Sequence, residues 1–278
     1  VFTVTVPGTL ANLGSGYDTL GLAVDRCNTF VVRPGPSTTP DLVARTAHRA
    51  GERFGAPCPS FEVEQHERIP RSRGMGSSAT ARVAGVLAWR TLTGCAVDER
   101  DLLRFLADEE GHPDNVWPAL LGGLVVCGPV ARRLPVDPRV AIARVSPGFP
   151  VETAAARALL PPTVAHPAAV ANVSAVALLV AGLASADREA LSHGVQDTLH
   201  QPWRASLLGP VDEAFAAARA LGAAPFVSGS GSTLAAFVVD GRTQAVAEAL
   251  AGPYREAGHE VQVAVESVRT AGATVRAG

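Results

Sequence analysis

Hydrophobic and polar positions change period along the chain, and the changes outline its elements. Residues 2–6 alternate, as a half-buried strand does. Residues 20–24 and 29–32 carry the same signal on either side of a polar break, Asp25-Arg-Cys-Asn28. A helix is predicted over 41–54, with Leu42, Val43, Ala47, Ala50 and Phe54 on its apolar side. Residues 61–66 alternate again, 81–90 are unbroken helix formers, and 98–107 place Leu102, Leu103, Phe105 and Leu106 along one helix face. A strand at 124–127 precedes a composition shift near 130–138, read as a domain boundary. Beyond it, strands are predicted at 140–145, on both sides of a glycine turn at 228–233, and at 259–264. Helices are predicted at 168–185, 187–193, 210–221 and 243–254, with a short one capped by Thr153. The spacing is not that of parallel strand-helix-strand units, so the class is α+β. Residues 34–40 read as a loop.

Composition narrows the classes. The chain has 278 residues, 47% of them hydrophobic, with net charge -2, which fits a globular protein rather than a disordered one. There is no basic excess to indicate nucleic acid. Lysine is absent, so an anion can be held only by arginine, histidine or backbone. Cys27, Cys58, Cys95 and Cys127 show no metal-ligand spacing and read as free thiols, most of them buried, in a reducing, cytoplasmic compartment. The most apolar helix, around 173–183, reads as too short to span a bilayer.

Polar residues gather in a few places. Arg71-Ser-Arg-Gly-Met-Gly-Ser-Ser-Ala-Thr80 sits where a strand gives way to a helix. Free N–H groups and the dipole at a helix start favour an anion, and Gly74 and Gly76 would let the backbone approach a phosphate. No lysine follows the glycines, so this is not a P-loop, and the third glycine of a dinucleotide fingerprint is missing. Residues 7–18 contain Asn12 and Asp18 among apolar neighbours, and buried polar groups need partners. Glu110, His112, Asp114 and Asn115 form a dense cluster, with Pro113 and Pro118 suited to the first turns of short helices. Arg157 lies one turn beyond Thr153, and His200-Gln-Pro-Trp-Arg204 reads as a short loop.

The order of residues 7–18, 71–80 and Ser228-Gly-Ser-Gly-Ser-Thr233 resembles the GHMP small-molecule kinases, most closely their homoserine kinase branch. Residues 7–21, 69–79, 110–123, 153–161 and 202–204 each resemble a segment of that branch, so the resemblance covers essentially the whole chain. It implies two domains: residues 1–135, of the ribosomal-protein-S5-like type and carrying the phosphate loop, and residues 136–278, a ferredoxin-like α+β domain. It also implies a homodimer, with no nucleic-acid or membrane partner.

The resemblance implies ATP and Mg²⁺ as cofactors and a small hydroxy amino acid as substrate. Arg73, Gly74, Met75, Gly76, Ser77, Ser78 and Ala79, with Gly229 and Gly231, would hold the nucleotide. Ser78 and Glu110 would ligate Mg²⁺, which favours hard oxygen donors. Asp18, helped by Asn12 and His112, would take the ammonium, and Arg157 and Arg204 the carboxylate. Thr153 belongs to the same substrate segment. Asn115 would accept or orient the attacking hydroxyl, with Asp114 the nearest alternative base. Ser232 replaces the family's usual proline, a change expected to soften the turn, and the stretch 34–41 is short for the family. L-Homoserine is the expected acceptor. Another small hydroxy amino acid, or a non-catalytic nucleotide or metabolite sensor, are the alternatives.

Overall fold

In the computed structural model, which describes residues 1–36 and 41–278, the first strand outruns its alternation. β1 covers Phe2–Ala11, so residues 7–11 of the expected binding loop are strand. β2 covers Leu20–Pro34 without interruption. The polar break expected at 25–28 is absent because β1 pairs across it, Val6 with Asn28 and Pro7 with Cys27, and a register shift follows between Pro7 and Thr9. The other edge of β2 serves two partners. Thr29–Pro34 pairs with β3 (Phe61–His66), and Leu20–Leu22 with β4 (Leu124–Cys127). The hairpin partner of β4 is β5 (Ala131–Leu134), a strand that the composition shift near 130–138 hid.

Four helices cover the inner face of this sheet. α1 (Leu42–Phe54) is capped by Asp41, whose carboxylate accepts from the Ala44 N–H at 2.7 Å. α2 (Ser77–Thr93) follows the glycine loop. α3 (Glu99–Glu110) runs one turn past its predicted end, so Glu110 sits at a helix C-terminus rather than in a loop. α4 (Pro113–Leu121) starts at Pro113 as expected. Pro118 lies inside α4 rather than in a first turn. A proline has no N–H for the Asp114 carbonyl one turn back. Gly21 packs against that carbonyl, where a Cβ would lie 1.8 Å away.

The second sheet is four-stranded and antiparallel, in the order β7 (Ala224–Val227), β8 (Leu234–Val238), β6 (Ala141–Pro147), β9 (Val261–Glu266). With β6 first in the chain, this is the strand order of a ferredoxin-like unit. Between β6 and β7 come α5 (Thr153–Ala158), α6 (His166–Ser185), α7 (Arg188–Gly194), α8 (Gln201–Arg204), a 3₁₀ turn over Ala205–Leu207, and α9 (Val211–Ala220). α10 (Thr243–Glu256) lies between β8 and β9. Thr153 is the first residue of α5 rather than its cap, a position held by Glu152. Residues 201–204 are helical, not a loop. The chain then returns: β10 (Thr274–Ala277), unpredicted, pairs with β1 and completes the six-stranded first sheet.

α6 corrects the bilayer argument. It has 20 residues and, by length and composition, is long enough to cross a membrane. One face is packed: Asn172, Ala175, Leu179, Gly182 and Leu183 are buried, and the Asn172 amide donates to the Ser15 carbonyl at 2.8 Å.

Three apolar cores result. One lies between the first sheet and α1 to α4, one between the second sheet and α9 and α10. The third joins the two sheets through Leu10, Leu22, Met75, Ile142, Phe226 and Phe237. An ion triad reinforces this junction. Glu266 Oε1 accepts from Arg144 Nε and from Arg26 Nε, each at 2.9 Å, and Arg144 and Glu266 are both buried. The cysteines are all free, but only Cys127 is buried.

Candidate active site

A cavity of about 770 Å³ opens where the two sheets meet. It gathers the residues singled out from sequence: Asn12, Asp18, Arg73, Gly74, Met75, Gly76, Ser77, Ser78, Glu110, His112, Asn115, Thr153, Arg157, Arg204, Gly229 and Gly231. Ala79 is the exception, buried beneath the first turn of α2.

The glycine loop is locked from below. Gly74 and Gly76 have φ of +77° and +66°, conformations that disfavour a side chain. Close approach adds a second reason. A Cβ on Gly74 would lie 2.1 Å from the Ser228 carbonyl, and one on Gly76 2.2 Å from Thr9 Oγ1. The loop and the 228–233 turn interlock: Ser228 Oγ donates to the Gly74 carbonyl at 2.6 Å, and the Thr233 N–H to the Arg73 carbonyl at 3.1 Å. Ser232, expected to soften this turn, instead ties it to the chain after β6. It is buried, and its hydroxyl donates to the Phe149 carbonyl at 2.6 Å. No side chain caps α2. A helix start without a cap has N–H groups available to an anion. The Arg73 guanidinium is committed to the Pro147 and Gly148 carbonyls, so Arg73 reaches the cavity mainly through its backbone.

Glu110 is tied to the first turns of α2 by both carboxylate oxygens. Its Oε1 accepts from Ser78 Oγ at 2.5 Å. Arg82 Nε lies 2.9 Å from Oε2, but its hydrogen goes to the Glu109 carbonyl at 2.8 Å. The contact with Oε2 is therefore Coulombic only, and Oε2 is buried without a hydrogen-bond donor among the described residues. An orphaned buried carboxylate oxygen calls for a ligand. Among the described residues no three His, Cys, Asp or Glu side chains cluster to form a metal cage. A lone carboxylate beside a hydroxyl suits an ion that also takes phosphate oxygens, as Mg²⁺ does.

Asn115 Oδ1 accepts from Thr9 Oγ1 at 2.7 Å, which fixes the amide in place. Asp114 is buried, with Oδ1 2.6 Å from His112 Nδ1. Burial pulls the His112 pKa down, but the bond to Asp114 and the charges of Asp114 and Glu110 outweigh it, so the net shift is upward. A raised folded-state pKa gives stability that is complete below the unfolded value and is lost as pH rises through the folded one. The melting-temperature gap between the wild type and His112→Gln is therefore expected to be wider at about pH 6 than at about pH 9, since imidazole ordinarily titrates near 6.5.

At the far end, Arg157 forms a bidentate pair with Asp18, at 2.9 and 2.7 Å. Asn12 positions Asp18: Asn12 Oδ1 accepts the Asp18 N–H at 3.0 Å while Nδ2 donates to the Gly229 carbonyl at 3.0 Å. Arg204 is 1% exposed, so it is no surface residue and does not rest on Trp203. It faces Tyr17, 5.2 Å from the ring centre, and donates to His200 Nδ1 and the Gly229 carbonyl, both at 3.1 Å. Accepting from Arg204 leaves the His200 proton on Nε2, which donates to the Gly14 carbonyl at 2.8 Å. Burial lowers the His200 pKa and keeps the ring neutral.

Sequence reasoning missed Tyr17, which lay inside a quoted motif, and the wall opposite, where Asp41, Arg45, Gln65 and Glu67 line the cavity. Gln65 Nε2 donates to Asp41 Oδ2 at 3.0 Å, joining the start of α1 to β3. No local signal marks these residues. They meet only because α1 lies across the sheet. The shortness of 34–41 falls partly on residues 37–40, outside the described residues.

Comparison with known proteins agrees with this geometry. The family model of the GHMP kinases N terminal domain matches residues 41–123. Homoserine kinase from Moorella thermoacetica is 36% identical over 276 residues, covering 92% of this chain and 93% of its own. The chain belongs to the homoserine kinase family of GHMP kinases. Homoserine kinase from Deinococcus radiodurans is 38% identical over 259 residues, covering 85% of this chain and 84% of its own. The crystal structure of homoserine kinase from Cytophaga hutchinsonii superposes with a TM-score of 0.90 at 30% identity, covering 99% of this chain and 97% of that one. Streptococcus pneumoniae phosphomevalonate kinase, at 14% identity, shares the fold, with a TM-score of 0.71 and coverage of 96% and 99%. The expected two-domain α+β GHMP kinase architecture is therefore the fold of this family member.

Proposed function

We propose that this chain transfers the γ-phosphoryl group of ATP to the side-chain hydroxyl of L-homoserine, giving O-phospho-L-homoserine. The observation that carries the reading is one cavity with an uncapped glycine loop and an orphaned carboxylate at one end and Asp18, Arg157 and Arg204 at the other. Phosphoryl transfer asks a protein mainly for positioning and charge stabilisation. The loop N–H groups of residues 74–79 receive the phosphates, and the Gly229 to Gly231 turn supports the loop from beneath. Ser78 and Glu110 would hold Mg²⁺, which supplies charge neutralisation on the phosphate oxygens. Asp18 receives the substrate ammonium, with Asn12 as its positioning residue, and Arg204 and Arg157 receive the carboxylate. Asn115 orients the hydroxyl. Its carbonyl oxygen already accepts from Thr9, and an amide is no strong base, so Asn115 works by alignment. Asp114 is engaged with His112, which argues against a role as base. The net upward shift on His112 favours its cation, which suits a phosphate or carboxylate better than an ammonium.

We assign residues 1–135 to the phosphate-loop domain and 136–278 to the ferredoxin-like domain, with β10 returning to the first. The free thiols fit a reducing compartment.

The deciding experiment measures ADP release with ATP, Mg²⁺ and a panel of L-homoserine, L-threonine, L-serine, a sugar and mevalonate. L-Homoserine is expected to give the signal. Turnover of a different amino acid would keep the site and change the acceptor. Nucleotide binding without turnover of any would replace this reading with a sensor. Arg204→Lys keeps the charge but loses the planar fork. It is expected to raise KM for the amino acid about tenfold or more, the worth of one charge-assisted hydrogen bond, with KM for ATP nearly unchanged. An equal rise in both would place Arg204 in the nucleotide site or the scaffold.

A further inference from the structure

The acceptor end of the cavity holds one anion and two cations, and they are unevenly matched. Asp18 is engaged by both arms of the Arg157 fork, and Arg157 Nη1 also donates to Tyr17 Oη at 2.8 Å. Arg204 has no carboxylate partner among the described residues; its hydrogen bonds go to His200 and to the Gly229 and Ala156 carbonyls. The Tyr17 ring is close to both guanidinium groups, 5.6 Å from Arg157 and 5.2 Å from Arg204, and stacks on His200. The two groups that should meet opposite ends of the amino acid are thus bonded to each other.

The partners differ in freedom. Asp18 has φ +54° and its N–H is held by Asn12, so its backbone is fixed from two sides. Arg157 is a long side chain on the six-residue helix α5. The pair is about one-third exposed, 35% for Arg157 and 32% for Asp18. A pair this accessible can be opened by a ligand, whereas a fully desolvated one would resist.

We infer that the Asp18–Arg157 pair is a gate that an α-amino acid opens by exchanging partners. The ammonium takes Asp18, the carboxylate takes Arg157 together with Arg204, and each charge released from the pair gains a new partner. Tyr17 is the positioning residue: its hydroxyl accepts from Arg157 and its ring lies against both guanidinium groups. An alcohol bearing only an ammonium must displace Arg157 and leaves both arginines without an anion. An alcohol bearing only a carboxylate strands Asp18. The gate therefore selects a zwitterion over either half of it. This inference rests on the proposed acceptor class.

The test uses 3-aminopropan-1-ol, which has the ammonium and hydroxyl of homoserine but no carboxylate. Its binding is measured by thermal shift and calorimetry on the wild-type chain and on Arg157→Gln, with L-homoserine in parallel. With the gate removed, Asp18 is free. The amino alcohol should bind Arg157→Gln about tenfold more tightly than wild type, the worth of a charge-assisted fork, while L-homoserine binds it more weakly. Equal binding of the amino alcohol to both proteins, or weaker binding to the variant, overturns the gate. Where Arg157→Gln folds poorly, Arg157→Lys, which keeps the charge but not the fork, should move both ligands in the same directions by less, and no movement there also overturns it. If wild type neither binds nor phosphorylates L-homoserine, the acceptor assignment fails, and that result is distinct from a failed gate.

Discussion

Glu110→Ala is expected to abolish turnover, lowering kcat by roughly a thousandfold or more, since loss of metal-assisted charge stabilisation amounts to several kcal/mol at 1.36 kcal/mol per decade. The reason lies in the surroundings of the carboxylate. Oε1 accepts from Ser78, while Oε2 is buried, 2.9 Å from Arg82 Nε, and receives no hydrogen bond. The carboxylate, paired in charge with Arg82, lies at the C-terminal end of α3, where the helix dipole disfavours an anion. Alanine also deprives Arg82 of its counter-charge, so some stability is lost with it. Glu110→Gln separates the two effects because it keeps the volume and an acceptor for Ser78 while removing the charge. Steady-state kinetics across a Mg²⁺ titration, with melting temperatures for both variants, is the measurement. Full activity of Glu110→Gln at saturating Mg²⁺ would remove Glu110 from the metal site.

Gly74→Ala should cost both stability and nucleotide binding. The left-handed backbone alone costs a residue with a Cβ roughly 1–2 kcal/mol. The new methyl would also sit 2.1 Å from the Ser228 carbonyl and 3.0 Å from the Gly231 carbonyl. Both neighbours are backbone, so the loop and the turn must part, breaking the Ser228–Gly74 bond that holds them in register. A fall in melting temperature and a rise of about tenfold or more in KM for ATP are expected, in line with the loss of positioning over a shift of about 1 Å. Gly55→Ala is the control. Gly55 has φ +69° and nothing within 4 Å of a Cβ, so it should show only the backbone cost and normal kinetics. If Gly74→Ala behaves like Gly55→Ala, the loop is not held against the turn in solution.

The fold was legible wherever a local pattern carried it. Alternation marked β1 and β3, and the apolar face of α3 stood out. The apolar positions of 41–54 placed α1 to within one residue, with Asp41 serving as its cap. The errors fall where neighbours overrule local chemistry. Asp25 to Asn28 read as a break because polar residues disfavour strands, yet β1 pairs through Asn28, whose side-chain Oδ1 accepts the Arg68 and Ile69 N–H groups. β10 carries too little apolar pattern to be recognised and exists because β1 offers it an edge.

The chemistry-bearing residues are readable from residue type alone: the glycines that tolerate positive φ, the serines after them, the acidic cluster near residue 110, and the arginines at 157 and 204. These are properties of residue type and short spacing. Only the tertiary structure decided which of those groups are free. It joined Asp18 to Arg157 across 139 positions, turned the Arg73 guanidinium away from the loop, buried Arg204 against Tyr17, and left one oxygen of Glu110 without a donor. A side chain's availability depends on its partners. Here the partners come from strands and helices far apart in the chain, brought together by burying the apolar faces of two sheets.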